Sequence, residues 1–138
     1  MVKREIIQKR VSKVNEYLDF LREIKQDYSL EEFKSNPMVY GSTERFLHLT
    51  IEALIDIGNH LIADQGLGRV EAYSDIPKIL YQNNYLDQDL KDIFIKIVGF
   101  RNVLVHDYME VDLDIVHSVV NDNLEDLVDI LKEFACFL

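Results

Sequence analysis

At 138 residues with 48% hydrophobic content, the chain is long enough to bury one substantial core and too short for two ordinary domains, so a single domain spanning 1–138 is expected. The formal charge of −10, from 15 basic and 25 acidic residues, excludes a general electrostatic attraction to polyphosphate and requires any nucleic-acid contact to be local. One cysteine, Cys136, excludes a disulfide framework and a cysteine-based zinc site, while the charged start and the absence of any apolar run near ~20 residues argue against a signal peptide or membrane span. The expectation is a cytoplasmic protein without membrane contact, with Cys136 as a small packing residue.

Apolar spacing is helical nearly everywhere. Ile7, Val11, Val14, Leu18, Leu21 and Tyr28 recur at steps of three, four or seven and predict a long first helix with one buried stripe. Ser29-Leu30-Glu31-Glu32 has the form of a capping box and starts a short second helix that ends before Asn36-Pro37. The next helix begins near Pro37 or Ser42. It is apolar on more than one side, from Phe46 and Leu47 through Ile57 to Leu61 and Ile62, which predicts a central position, and Gly66-Leu67-Gly68 stops it. Ser74-Asp75-Ile76-Pro77 caps a short helix reaching about Gln82, with a turn at Asn83-Asn84. Asp87 caps a helix carrying Leu90, Ile93, Phe94, Ile97 and Val98. The last helix starts near Asp112 and aligns Val116, Val120, Leu124, Leu127, Leu131, Phe134 and Leu138. No segment alternates with the period of a strand. The predicted fold is all-α: an up-and-down bundle of four main helices plus short ones.

The stretch from Gly99 to Tyr108 (GFRNVLVHDY) departs from a generic bundle. It places Arg101, His106 and Tyr108 near the end of an apolar helix, supplying a permanent cation, a group that exchanges protons near neutral pH and a phenol, which suit chemistry on a phosphodiester. On an ideal helix Arg101 and Tyr108 lie about 20° apart and Arg101 and His106 about 140° apart. Either the helix ends or distorts before His106, or a second copy of the chain completes the site across a two-fold axis. Val103, Leu104 and Val105 read as core contacts that anchor the polar groups, and Asp107 as a solvated acid.

Arg101, four residues, His106, one residue and Tyr108 match the R-x-x-x-x-H-x-Y motif of the HepT-like HEPN family, and the residues from Val98 to Asn102 and from Leu104 to His106 resemble that family as well. Upstream, the segment Ile51 to Leu61 (IEALIDIGNHL) is similar to the family's central helix. The resemblance covers most of the chain. It implies a homodimeric all-α domain whose paired motifs line a cleft, and a metal-independent ribonuclease needing no cofactor. It also implies a toxin role opposed by a small nucleotidyltransferase antitoxin of the MntA type, with Tyr108 as acceptor of AMP from that partner. Arg101 and His106 would then be catalytic, with Asn102, Asp56 and Asn59 in support. Attack by a ribose 2′-hydroxyl would leave DNA uncut.

Two other readings compete. Glu52, Asp56 and His60 recur at i, i+4, i+8 and share a helix face that could hold a metal, but bundle carboxylate sites collect Glu-x-x-His pairs and none occurs here; helix-surface or dimer-interface hydrogen bonds fit better, and no metal is expected. His48 and His117 lack a recognisable site context. The chain could instead be a non-catalytic dimeric module that binds a nucleotidyltransferase. A local basic groove lined by Arg101, with Arg45 or Arg69, would favour RNA, whereas a wholly acidic cleft would favour binding alone.

Overall fold

The computed structural model describes residues 4–106 and 112–137, apart from the side chains of Val105 and His106. It contains six helices: α1 (Arg4–Asp27), α2 (Leu30–Ser35), α3 (Pro37–Gln65), α4 (Asp75–Gln82), α5 (Gln88–His106) and α6 (Leu113–Ala135). The described residues include no strand, and α1, α3, α5 and α6 form the predicted four-helix frame, with α2 and α4 as the short additions.

Local chemistry sets the boundaries. The Ser29 hydroxyl accepts from Glu32 N–H while the Glu32 carboxylate accepts from Ser29 N–H, closing the capping box at α2. The hydrogen bond from Ser29 N–H, with the Ser29 hydroxyl beside it, holds the Glu32 carboxyl below its ordinary range. Asn36 ends α2 and starts α3, its Oδ1 accepting from Met38 and Val39 N–H ahead of Pro37 in the first turn. Gly66, at φ 61°, closes α3 in the left-handed region. Asp112 caps α6 through Asp114 and Ile115. Ser74 differs from its prediction: it makes no side-chain cap, and Asp75 instead turns back to accept from Glu71 and Ala72 N–H at 3.1 and 3.0 Å.

The stripes converge on a single cluster of buried residues from all six helices, and α3 touches each of the other five. By length and hydropathy α3 would also suit a membrane span, yet Leu47, Ile51, Leu54, Ile57, Leu61 and Ile62 are spent on this core. Two sequence expectations fail at its edge. Cys136 is exposed, because it follows the last turn of α6, and Val103 is 41% exposed, because it faces away from the stripe that buries Phe94, Ile97 and Val98. Leu104 is partly buried against the core; Val105 and Leu138 lie outside what is described.

Close approach of α3 and α4 depends on Gly58, where an added Cβ would meet Ile76 Cγ2 at 2.7 Å and Phe134 Cζ at 3.6 Å. Gly58→Ala gains helix propensity of roughly 1 kcal/mol, but a branched, fully buried neighbour has no room to yield, and overpacking costs about 1–3 kcal/mol. A lowered thermal midpoint by circular dichroism is expected; an unchanged or raised midpoint would show that the α3–α4 contact relaxes freely.

Candidate active site

Asp87 starts α5 by accepting from Leu90 N–H at 2.8 Å, and the helix then runs unbroken through His106. Arg101 and His106 therefore stay five residues apart on one continuous helix, separated by about 7.5 Å of rise and about 140° of rotation. Of the two alternatives, a break in the helix before His106 is not what the described residues show. That spacing leaves completion of the site by a second copy as the other alternative.

Arg101 is held on three sides. Its Nε donates to Glu52 Oε1 of α3 at 2.5 Å, with the two side chains 16% and 34% exposed. Its Nη1 donates to Asn102 Oδ1 at 3.3 Å, and its guanidinium lies 5.1 Å from the centre of the Tyr73 ring. The back of the fork is thus fixed, while Nη2, the prong suited to an anion, has no partner among the described residues. Tyr73 belongs to the connection between α3 and α4, which the Asp75 carboxylate fastens from inside. Those backbone hydrogen bonds from Ala72 and Glu71 hold the Asp75 carboxyl below its ordinary range, so it stays ionised and the loop stays clasped at neutral pH.

Glu52 also faces His48, whose Nε2 is 3.4 Å from Oε1, and His48 Nδ1 lies 3.4 Å from Arg45 Nη1. A guanidinium only donates, so Nδ1 accepts and the imidazole proton sits on Nε2, directed at Glu52. The result is a chain from Arg45 through His48 and Glu52 to Arg101. One turn further along α3, Asp56 pairs with Arg10 Nε at 2.7 Å and with His60 Nε2 at 3.6 Å. Both carboxylates are thereby engaged by cations and imidazoles, and the described residues contain no group of three potential ligands for a metal ion.

Of the residues singled out in sequence, Asn102 reaches Arg101. Asp56 serves Arg10 and His60, and Asn59 sits exposed on α3. Within one chain the acid on Arg101 is Glu52, which sequence reasoning had assigned to a surface or interface role, and its companion is His48, which had been left structural. Arg45 joins the chain of contacts, whereas Arg69 is 87% exposed beside Glu71. His117 packs against Phe33 with ring centres 5.3 Å apart, a structural position. Asp107 and Tyr108 lie outside the described residues, and the position of the His106 ring is likewise undescribed.

An all-α bundle whose arginine–histidine helix is braced by an acid on the central helix is a HEPN-type domain. The chain belongs to the ribonuclease HepT-like family, whose model matches residues 14–134, as its motif led us to expect. It is 36% identical over 131 residues to the mRNA nuclease HepT of Shewanella oneidensis, covering 93% of this chain and 97% of that protein. It is 27% identical over 135 residues to the tRNA nuclease HepT of Aphanizomenon flos-aquae, covering 96% and 90%. Among solved structures it resembles a tri-AMPylated Shewanella oneidensis HEPN toxin in complex with its MNT antitoxin, with a TM-score of 0.87, 34% identity and coverage of 96% and 98%.

Proposed function

We propose that this protein is a metal-independent endoribonuclease that acts as a homodimer in the cytoplasm, and that it is the toxin of a pair whose nucleotidyltransferase partner silences it by placing AMP on Tyr108. The observation that carries the nuclease reading is the braced guanidinium of Arg101, fixed at Nε by Glu52 and at Nη1 by Asn102, with no partner for Nη2 among the described residues. Named nucleases among its relatives support the reaction class, and the AMP-modified relative bound to its antitoxin supports the regulation. Separation of Arg101 from His106 along an unbroken α5, together with the exposed Val103 between them, supports completion of the site by a second copy.

The chemistry follows from these groups. His106 takes the proton of a ribose 2′-hydroxyl, whose oxygen bonds to the adjacent phosphorus. The bond from phosphorus to the 5′-oxygen breaks, that oxygen receives a proton, and the products are a 2′,3′-cyclic phosphate and a 5′-hydroxyl. Arg101 binds the phosphate oxygens and stabilises the extra charge that develops there, which a planar two-pronged cation does better than lysine. AMP on Tyr108 would bring bulk and a negative phosphodiester within reach of Arg101, opposing RNA electrostatically and sterically.

The purified homodimer should cut single-stranded RNA with EDTA present and leave the matching DNA intact. Treatment with the partner nucleotidyltransferase and ATP should abolish cutting and raise the intact mass in AMP steps, and Tyr108→Phe should block the mass gain. EDTA-sensitive cleavage, or a mass gain that survives Tyr108→Phe, would overturn the corresponding half of the proposal.

A further inference from the structure

Basic charge is unevenly placed along this acidic chain: five of the 15 basic residues, but only one of the 25 acidic ones, fall in the first fifteen positions. Three of them, Lys9, Arg10 and Lys13, line a groove of about 450 Å³ between α1 and α3. The acids across the groove are Glu52 and Asp56, and neither is available to neutralise the lysines. Glu52 is engaged by Arg101 and His48, and Asp56 by Arg10 and His60. Lys9 has no ion-pair partner among the described residues, and Lys13 reaches only Glu16, at 3.3 Å with both ends more than half exposed. Arg10 adds a third cation, paired through Nε with Asp56 while its Nη1 has no hydrogen-bond partner.

An aromatic platform continues the same face. Tyr17 lines the groove, is half-buried and stacks on Phe46 with ring centres 6.2 Å apart, and Phe46 stacks on Phe20 at 4.9 Å, so the Tyr17 ring has aromatic support. Lys9, Lys13 and Tyr17 follow at i, i+4, i+8, which puts their Cβ atoms about 6 Å apart along one helix face, a step similar to that between nucleotides of an extended strand. Cations at nucleotide spacing leading to a supported ring are what a single strand needs: phosphates held by charge and a base held by stacking. The groove also adjoins the site, because Glu52 both lines it and holds Arg101 at Nε.

We propose that the α1–α3 groove is a binding track for single-stranded RNA flanking the scissile phosphate, with Lys9, Arg10 and Lys13 on backbone phosphates and Tyr17 under a base. The assignment rests on the nuclease reading and extends it to residues far from the motif in sequence. It also gives a chain of charge −10 a local basic surface beside Arg101 on which to meet a polyanion.

The test compares a dinucleotide, which fills only the reacting centre, with a 20-nucleotide single-stranded RNA, using wild type, the double variant Lys9→Ala/Lys13→Ala, and Tyr17→Leu. Both lysines are exposed, so the double variant leaves the core untouched. For the long RNA, kcat/KM should fall about tenfold further than for the dinucleotide, chiefly through KM. The slope of log KM against log salt should become shallower by about 1.4, the value for two lost phosphate contacts on a single strand. Tyr17→Leu should weaken the long substrate by about fivefold or more without changing that slope. Equal losses on both substrates, no loss, or an unaltered salt slope in the double variant would overturn the track. So would dissociation of the dimer by sedimentation, which would make the groove an interface between copies, or selective loss of nucleotidyltransferase binding, which would give it to that partner. A wild-type protein that cuts neither substrate defeats the nuclease reading itself, whereas a cutting wild type with an indifferent double variant defeats the groove alone.

Discussion

Mixing Arg101→Ala protomers with His106→Ala protomers, each inactive alone, is expected to restore RNA cleavage. Loss of His106 removes the proton-transfer group and should cost about 10²–10⁴ in kcat, and loss of Arg101 removes the cation that meets the developing phosphate charge, with Arg101→Lys a poor rescue. Both residues sit on α5, which continues without a break through His106, so their backbone positions lie about 140° apart around one helix. If a two-fold axis brings the arginine of one copy to the histidine of the other, a mixed dimer pools its two defects in one site and leaves the other site whole. Random exchange of equal amounts then recovers about a quarter of wild-type activity, since half the dimers are mixed and each carries one intact site. A mixture as inactive as its components would show that Arg101 and His106 act from the same chain.

What could be read from sequence follows the range of the interactions. The stripes of α1, α3 and α6 repeat every three or four residues, and the capping box at Ser29, the turn at Gly66 and the cap at Asp112 are each settled within four positions, so these were legible. The long first helix and the central α3 follow from Ile7, Val14, Leu18 and Leu21 on the one, and from an apolar surface too broad for one neighbour on the other. The pairing of Arg101 with Glu52 spans 49 positions and depends on how α5 lies across α3, which no local pattern encodes. Sequence showed that Glu52, Asp56 and His60 share a face; it did not show that Glu52 meets Arg101 while Asp56 meets Arg10. Val103 misled for a related reason: an apolar residue beside a motif is core or surface according to the rotation of its helix, and here the rotation exposes it. Asp75 shows the same limit on a shorter scale. Its residue type suited a helix cap, but the preceding loop folds back and offers its own N–H groups to the carboxylate.

Glu52→Ala should lower kcat by about 10²-fold, in proportion to the loss of a fixed orientation for the reacting cation. The carboxylate holds Nε, and its loss leaves only the longer contact to Asn102 at 3.3 Å and the Tyr73 ring as supports of Arg101. Because the charge on Arg101 survives, binding of RNA persists and KM should move much less than kcat. Stability should change by only about 1 kcal/mol or less, since Glu52 is a third exposed and water can take over part of its role. Glu52→Gln discriminates further: its amide oxygen can still accept from Nε, so a partial rescue of kcat means that geometry matters more than charge, whereas a loss as deep as that of Glu52→Ala means that the anion itself is required. His48→Ala should have a smaller effect in the same direction, because His48 touches Glu52 through Nε2 at 3.4 Å and reaches Arg101 only through it. Wild-type kcat in Glu52→Ala would separate the ion pair from catalysis and reduce it to a contact between α3 and α5.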